Sequence, residues 1–110
     1  MIKPYKIDYD QKIIQHVDSI LGLEFASPVS PQIDPDLFAI EDYYQKTGGN
    51  FWIALDKDQV IGTIALINIG QNRGLLKRMY VQKEYRGKGV AQELLQTLLE
   101  FAQKNSFGVI

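Results

Sequence analysis

The stretch that decides the fold is Val81-Gln82-Lys83-Glu84-Tyr85-Arg86-Gly87-Lys88-Gly89-Val90-Ala91. An apolar strand pattern ends at Val81, a turn rich in glycine and basic residues follows, and a helical pattern begins at Val90. The first turn of a helix leaves backbone N–H groups without intrahelical partners, and the helix dipole favours an anion there. Glycine lets an anion approach the backbone closely, and Arg86 and Lys88 add positive charge. The stretch therefore predicts a strand, a turn that binds a pyrophosphate, and a helix.

The helix that follows the turn has one apolar face. Apolar residues recur at intervals of three and four, the period of a helix with one buried side, at Val90, Ala91, Leu94, Leu95, Leu98, Leu99 and Ala102. We expect this helix to end near Asn105 and its buried side to anchor the turn. Ahead of the turn, the apolar pattern predicts a strand at residues 75–81.

Further strands are predicted on both sides of this unit. Two apolar runs, 51–55 and 60–67, flank a short polar loop and predict a hairpin. Weak alternation predicts a first strand at residues 2–9, and the apolar run 107–110 predicts the beginning of a last one. The predicted sheet therefore has five strands.

Two helices are predicted before the hairpin. The first covers residues 10–21, with an aspartate as its N-cap, and is ended by Gly22. The second begins with Asp34 as N-cap and Pro35 at its first position, and ends near Gly48. The resulting order, β-α-α-β-β-β-α-β, predicts an α/β fold of the layered α+β kind, in which helices flank a mixed sheet.

Length and composition limit the possible functions. The 110 residues are enough for one domain, and a formal net charge of −1 provides no overall field for nucleic acid or an anionic membrane. Cysteine is absent, which excludes disulfides, thiolate metal sites and a cysteine nucleophile. No signal peptide or membrane span is visible, so a cytoplasmic location is expected.

The order of elements and the turn together resemble the GNAT superfamily of acetyl-coenzyme A-dependent N-acetyltransferases. The signature of that family is Arg or Gln, two residues, Gly, one residue, then Gly or Ala. Here these positions are Arg86, Gly89 and Ala91, and they follow a strand that ends in Met79-Tyr80-Val81. The strand before the signature and the helix after it lie where the family has them.

The resemblance implies a binding site for acetyl-coenzyme A and requires no metal. Backbone amides would bind the pyrophosphate of the coenzyme at the positions of Arg86, Gly87, Lys88, Gly89, Val90 and Ala91. The main chain of Val81 would pair with the pantetheine arm as an added strand does. The amide of Met79 would polarise the thioester carbonyl.

The chain departs from the family pattern in two places. Many members carry a glutamate base early in the strand before the turn, where this chain has Leu75. Members also usually continue through a further helix and two strands, whereas this chain ends at Ile110. We therefore expect residues 1–110 to form one incomplete domain, truncated after the start of the fifth strand, whose exposed sheet edge leads to homodimerisation or to instability.

No catalytic residue is identified. Several carboxylates lie on the acceptor side by the resemblance and could bind an amine or accept its proton, namely Glu24, Asp34, Asp36, Glu41 and Asp42. Capping explains Asp34 equally well, and solvent exposure explains the others. His16 is expected to be exposed on the polar side of its helix. Core packing is the expected role of the aromatic residues, which are Phe38, Tyr44, Phe51 and Trp52.

Acetyl transfer from acetyl-coenzyme A to an amine of a small molecule or protein is the function that the resemblance implies. A coenzyme A-binding module without turnover, acting as a sensor or assembly piece, is a second reading. An α/β interaction domain without a cofactor is a third, in which the basic turn only caps its helix. The acceptor stays open among antibiotics, polyamines, peptide N-termini and protein lysines.

Overall fold

Four antiparallel strands form one sheet in a computed structural model that describes residues 1–110. The strands are adjacent in chain order: β1 (Ile2–Pro4), β2 (Asn50–Asp56), β3 (Gln59–Gly70) and β4 (Arg73–Val81). Two α-helices are present, α1 (Asp10–Phe25) and α2 (Val90–Lys104). The predicted layered class is confirmed. None of the helices is both long enough and apolar enough to cross a lipid bilayer.

The two helices cover opposite faces of the sheet. Consecutive side chains of a strand point to opposite sides, so an apolar strand provides a packing surface for a helix on each face. On β2, Phe51 packs in the cluster that contains α1, while the next residue, Trp52, packs in the cluster that contains α2. The α2 side is anchored by Leu94 and Leu98, both fully buried. The amphipathic helix predicted after the turn is therefore confirmed, and it fixes the start of α2 beside the end of β4.

Two tight turns connect the central strands. The turn between β2 and β3 is Lys57-Asp58, and the turn between β3 and β4 is Gln71-Asn72. All four residues have positive φ, between 53° and 87°. Positive φ at both central residues is the geometry whose twist matches two antiparallel strands. The predicted hairpin is confirmed, with a shorter loop than expected.

The first part of the chain differs from prediction. The strand predicted over residues 2–9 ends at Pro4, and a 3₁₀ turn at Ile7–Tyr9 leads into α1. Gly22 does not end α1, because a glycine within a helix costs only about 1 kcal/mol. The helix continues to Phe25 and is closed by Ala26, which has left-handed φ and donates its N–H to the Leu21 carbonyl.

The second predicted helix is also wrong. It is replaced by a 3₁₀ turn at Pro35–Phe38 and a π-helical turn at Glu41–Gln45, separated by Ala39 at φ −153°. This break allows Leu37 and Tyr44 to reach the core between α1 and the sheet. Burial of large side chains outweighs local helix propensity in this segment.

The predicted last strand is reduced to a single contact. Val109 forms an isolated parallel bridge with Arg73, and the Val109 carbonyl accepts a hydrogen bond of 2.8 Å from the N–H of Gly74. The chain therefore returns parallel to β4, in agreement with the prediction of a mixed sheet, but it contacts that strand only at its beginning. The remaining outer edge of β4 has no neighbouring strand.

A β-bulge interrupts the pairing of β3 and β4. Thr63 pairs with Tyr80 and Ala65 pairs with Lys77, so β4 has one extra residue between these pairs. Arg78 lies in the bulge and has a φ of +56°, in the left-handed region. A bulge bends its strand and redirects nearby side chains. It lies immediately before Met79, in the strand that leads to the glycine turn.

Candidate functional site

The glycine turn presents backbone N–H groups that the protein does not use. None of the N–H groups of Gly87, Lys88 and Gly89 donates a hydrogen bond within the chain. The first turn of α2, residues 90–92, adds three N–H groups that a helix leaves without intrahelical partners. The N–H of Arg86 differs, because it donates to the Lys83 carbonyl at 3.3 Å. We call residues 87–92 the amide cradle.

The space in front of the amide cradle is open. Gly87 and Gly89 have φ values of +76° and +89°, and a Cβ placed on either would meet no atom within 4 Å. A cleft of about 270 Å³ lies here, between the end of β4 and the start of α2, and Tyr85 and Gln92 contribute to its walls. Unpaired donors at the positive end of a helix dipole, beside an open cleft, suit a phosphate group.

Arg86 does not point its charge into this cleft. Its guanidinium forms two hydrogen bonds with Glu24, of 2.9 and 2.7 Å, and its Nε donates to the Val81 carbonyl at 2.8 Å. The hydrogen bond to Arg86 lowers the pKa of Glu24. Lys88 forms no ion pair; its Nζ lies 5.9 Å from the centre of the Tyr85 ring. Lys88 is thus the free cation at the cradle.

The end of β4 offers part of its backbone to the open edge. Gln82 donates its N–H to the Ile61 carbonyl at 2.9 Å, so it faces β3. Since successive backbone groups of a strand alternate between its two edges, the N–H groups of Val81 and Met79 face outward. The Val81 carbonyl also faces outward but accepts from Arg86. Met79 lies on the α2 side of the sheet.

A buried ion-pair cluster lies beside Met79. Arg78 donates its Nε to Asp36 at 2.8 Å, and its Nη2 to Asp36 at 2.6 Å and to Asp34 at 3.0 Å. The three side chains are 9% or 10% exposed. Tyr44 donates its hydroxyl to Asp36 at 2.5 Å. We call Arg78, Asp34 and Asp36 the Arg78 clamp.

Charge pairing in the Arg78 clamp outweighs the cost of burial. Burial alone would raise the pKa of Asp36, yet its hydrogen bonds with Arg78 and Tyr44 hold that pKa below its usual value. Burial would likewise lower the pKa of Arg78, and hydrogen bonds with Asp36 and Asp34 raise it instead. The capping role predicted for Asp34 is wrong, because no side-chain cap is formed at Pro35–Phe38. The exposure predicted for Asp36 is also wrong.

The other candidate side chains are occupied or remote. Glu41 and Asp42 are exposed as predicted, and both pair with Lys46. Leu75, at the position where the resemblance implies a base in many members, is 48% exposed. The core role predicted for the aromatic residues is confirmed for Tyr44, Phe51 and Trp52, but Phe38 is 46% exposed.

His16 is buried, contrary to prediction, with only 3% of the residue exposed. Its Nε2 lies 3.2 Å from the Tyr80 carbonyl, and its Nδ1 lies 2.7 Å from the side-chain nitrogen of Gln82. A neutral ring satisfies both, donating from Nε2 and accepting at Nδ1. Burial lowers the pKa of His16 to about 4. The ring therefore fixes α1 to the end of β4 in its neutral form.

The sequence of this chain is similar to those of known acetyltransferases. The sequence model described as the acetyltransferase (GNAT) family matches residues 16–110. N-acetylaspartate synthetase of Danio rerio is 38% identical over 77 residues, which are 68% of this chain and 27% of that protein. The Xenopus tropicalis protein of the same name is 42% identical over 77 residues, covering 68% of this chain and 28% of its own length. The chain spans about a quarter of the length of these relatives.

Two solved acetyltransferase structures superpose closely on this chain. A GNAT-family acetyltransferase from Staphylococcus aureus Mu50 superposes with a TM-score of 0.92 and 31% identity, over 97% of this chain and 68% of that one. An acetyltransferase from Streptococcus agalactiae 2603 superposes with a TM-score of 0.89 and 30% identity, over the same shares of the two chains.

Proposed function

The chain belongs to the acetyltransferase (GNAT) family, and from that premise we propose that it transfers an acetyl group from acetyl-coenzyme A to an amine. The observation that carries the proposal is the amide cradle, residues 87–92, whose N–H groups face an open cleft with no partner in the protein. Each backbone N–H group is a strong hydrogen-bond donor, so those without a partner in the protein are available to a ligand. A row of free donors at a helix N-terminus is therefore well suited to an anionic ligand.

Each part of the proposed site has a distinct task. The amides of residues 87–92, with Lys88, bind the pyrophosphate. The outward N–H of Val81 pairs with an amide of the pantetheine arm, which lies along the open edge of β4 as an added strand. The N–H of Met79 donates to the thioester carbonyl and stabilises the charge that develops on its oxygen. Arg86 holds the turn to α1 through Glu24 rather than binding a phosphate with its side chain.

The proposed reaction is direct attack of a neutral amine on the thioester. A carbon–nitrogen bond forms, the carbon–sulfur bond breaks, and the proton lost by the amine passes through water to the departing thiolate. Catalysis then comes mainly from proximity and from polarisation of the carbonyl. Water is the proposed proton acceptor because Asp34 and Asp36, the buried carboxylates that contact the residue before Met79, are paired with Arg78.

A second candidate is a coenzyme A-binding module without turnover. The observation that favours it is that every candidate carboxylate is already in an ion pair. A site without a free base binds the coenzyme but has no group to accept the proton of the amine, so acetyl transfer is not expected. Measured thiol release distinguishes the two functions.

The acceptor is proposed only as a class. Relatives of this chain include N-acetylaspartate synthetases and members of the N-acetyltransferase 8 group, whose names indicate N-acetylation. We therefore propose a primary amine on a small molecule or peptide. We also propose that residues 1–110 act as one domain in the cytoplasm, consistent with the absence of cysteine, and that a second copy pairs with the exposed chain at residues 107–110, which leaves the open edge of β4 to the pantetheine arm.

Thermal unfolding with acetyl-coenzyme A, coenzyme A and ADP tests the binding step. A ligand that binds only the folded protein raises the melting temperature, by an amount that grows with its concentration over Kd. We expect all three to raise it, because all three carry the pyrophosphate. Thiol release with aspartate, spermidine and a lysine peptide then tests turnover. A rise in melting temperature without thiol release would support the binding module, and no rise would contradict both functions.

A further inference from the structure

Arg78 adopts a backbone conformation that is unfavourable for its residue type. Its φ of +56° lies in the left-handed region, which costs a residue with a side chain on the order of 1–2 kcal/mol. Such conformations persist where the surrounding structure enforces them, and they are frequent at functional sites. Two independent sets of contacts enforce this one.

The first contact holds the main chain of the bulge. Thr63, fully buried on β3, donates its hydroxyl to the Arg78 carbonyl at 2.9 Å. In a regular ladder this carbonyl would be satisfied by a backbone N–H or would face the open edge. The extra residue in β4 removes that arrangement, and a threonine side chain on the facing strand replaces the lost partner.

The second contact holds the side chain. Arg78 reaches Asp36 through two nitrogens and Asp34 through one, at 2.6 to 3.0 Å. Both aspartates lie in the segment after α1. Within that segment, the N–H of Ser30 donates a hydrogen bond of 3.3 Å to Asp34. The Arg78 clamp therefore connects the bulge to a part of the chain more than 40 residues away in sequence.

The bulge decides which way the next residue points. Tyr80 packs on the α1 side of the sheet and Met79 on the α2 side, while Arg78 meets aspartates on the α1 side. Leu76 and Met79 both pack on the α2 side although they are three positions apart, so the extra residue shifts the alternation by one position and places Arg78 on the α1 side with Tyr80. Without the bulge, residues 79–81 would exchange faces and edges relative to residues 73–77. The outward N–H of Met79 depends on this shift.

We propose that Arg78 is a positioning residue, whose ion pairs with Asp36 and Asp34 hold the β4 bulge so that the Met79 N–H points to the thioester carbonyl. This inference rests on the proposed function. Arg78 does not touch the reacting atoms; it acts through the backbone of the next residue. Stability alone does not explain the arrangement, since a buried ion pair is often no more stabilising than apolar residues of similar size.

The test uses the ¹⁵N-labelled full chain titrated with acetyl-coenzyme A and, separately, with coenzyme A, which lacks the thioester carbonyl. The variants are Arg78→Ala, which removes the Arg78 clamp, and Asp36→Asn, which weakens it while keeping a partner for Tyr44. Lys77→Ala is the matched control, because Lys77 is an exposed neighbour on the same strand and forms no ion pair with Asp34 or Asp36.

We expect the amide signals of residues 87–92 to shift with both ligands in all four proteins. The Met79 amide should shift with acetyl-coenzyme A alone in the unaltered protein and in Lys77→Ala. That acetyl-specific shift should be lost in Arg78→Ala and Asp36→Asn, with affinity for coenzyme A changed less than about threefold, since the pyrophosphate contacts remain. A merely structural role would lower stability without removing one ligand-specific signal.

The outcomes distinguish a failure of the positioning role of Arg78 from a failure of the proposed function. An acetyl-specific Met79 shift that persists in folded Arg78→Ala or Asp36→Asn overturns the positioning role. If Arg78→Ala does not fold, the decision rests on Asp36→Asn and on Arg78→Gly, because glycine tolerates the positive φ at this position. Absence of any shift at residues 87–92 in the unaltered protein contradicts the proposed function instead.

Discussion

The guanidinium of Arg86 is paired with Glu24, with two hydrogen bonds of 2.9 and 2.7 Å, so the arginine of the signature is turned away from the amide cradle. The pair joins the end of α1 to the turn that precedes α2. Arg86 therefore stabilises the position of the turn, and its charge is largely balanced at the site where an anion is proposed to bind.

The first prediction concerns that balance. Glu24→Gln removes a negative charge near the cradle and frees Arg86, so coenzyme A should bind roughly two- to fivefold more tightly at low salt, the range of an exposed ion pair. The gain should fade as salt screens the charges. Isothermal titration at two ionic strengths measures it. Glu100→Gln, which removes an exposed carboxylate from α2, is the control, and equal effects of the two changes would contradict the prediction.

The second prediction concerns the amide cradle. Gly89→Glu introduces bulk and negative charge where the pyrophosphate is proposed to lie, and should weaken coenzyme A binding by about 100-fold or more, since each lost charge-assisted hydrogen bond is worth about 1.5–3 kcal/mol. Gly70→Glu is a matched control: Gly70 has a φ of +88°, Gly89 has +89°, and both face open space. The two variants share the backbone cost and the added charge.

Melting temperatures and coenzyme A affinity of these two variants complete the comparison. Both should lose similar stability, and only Gly89→Glu should lose affinity. Arg86→Ala should weaken binding less than Gly89→Glu, because the backbone donors of residues 87–92 remain. Similar affinities for Gly89→Glu and Gly70→Glu would show that the cradle is not the binding site.

The third prediction concerns pH. His16 has a pKa of about 4 in the folded protein against 6.5 for the free side chain, so the unfolded chain binds more protons between these values. Stability from neutral His16 is therefore fully present above pH 6.5 and is lost as pH falls towards 4, by up to about 3 kcal/mol. Urea unfolding between pH 4 and 7 measures the slope.

His16→Gln supplies the comparison, because a glutamine side chain does not titrate and can still hydrogen-bond to Tyr80. Its stability should change less with pH over this interval than that of the unaltered protein, whatever its absolute value. Carboxylates contribute equally to both proteins, so the difference in slope reports His16. Parallel pH profiles would mean that His16 is not buried in its neutral form.

Local patterns were sufficient for the parts of the site that are local. The glycine turn and α2 were predicted from two glycines and from the helical period of the apolar residues that directly follow them. The structure has both elements where they were predicted. The hairpin between β2 and β3 is equally local. These elements needed no information from distant parts of the chain.

The missed features depend on long-range contacts. The bulge at Arg78 is contacted by Thr63, Asp34 and Asp36 from distant parts of the chain, and no spacing in the β4 sequence indicates it. His16 was assigned to the polar side of its helix. Its burial results from contacts with Tyr80 and Gln82 at the end of β4, which the helix sequence does not show. A histidine within an otherwise apolar helix face was the available signal for its burial. Asp34 was predicted to be an N-cap because a helix was predicted after it, and that helix is replaced by 3₁₀ and π-helical turns.

The most direct test of the account is a crystal structure of this chain with coenzyme A. We expect pyrophosphate oxygens at hydrogen-bonding distances of about 2.7–3.2 Å from backbone nitrogens of residues 87–92, with the Arg86 side chain still directed to Glu24. A coenzyme bound elsewhere, or a cradle whose N–H groups turn inward to protein carbonyls while the ligand is present, would contradict the account.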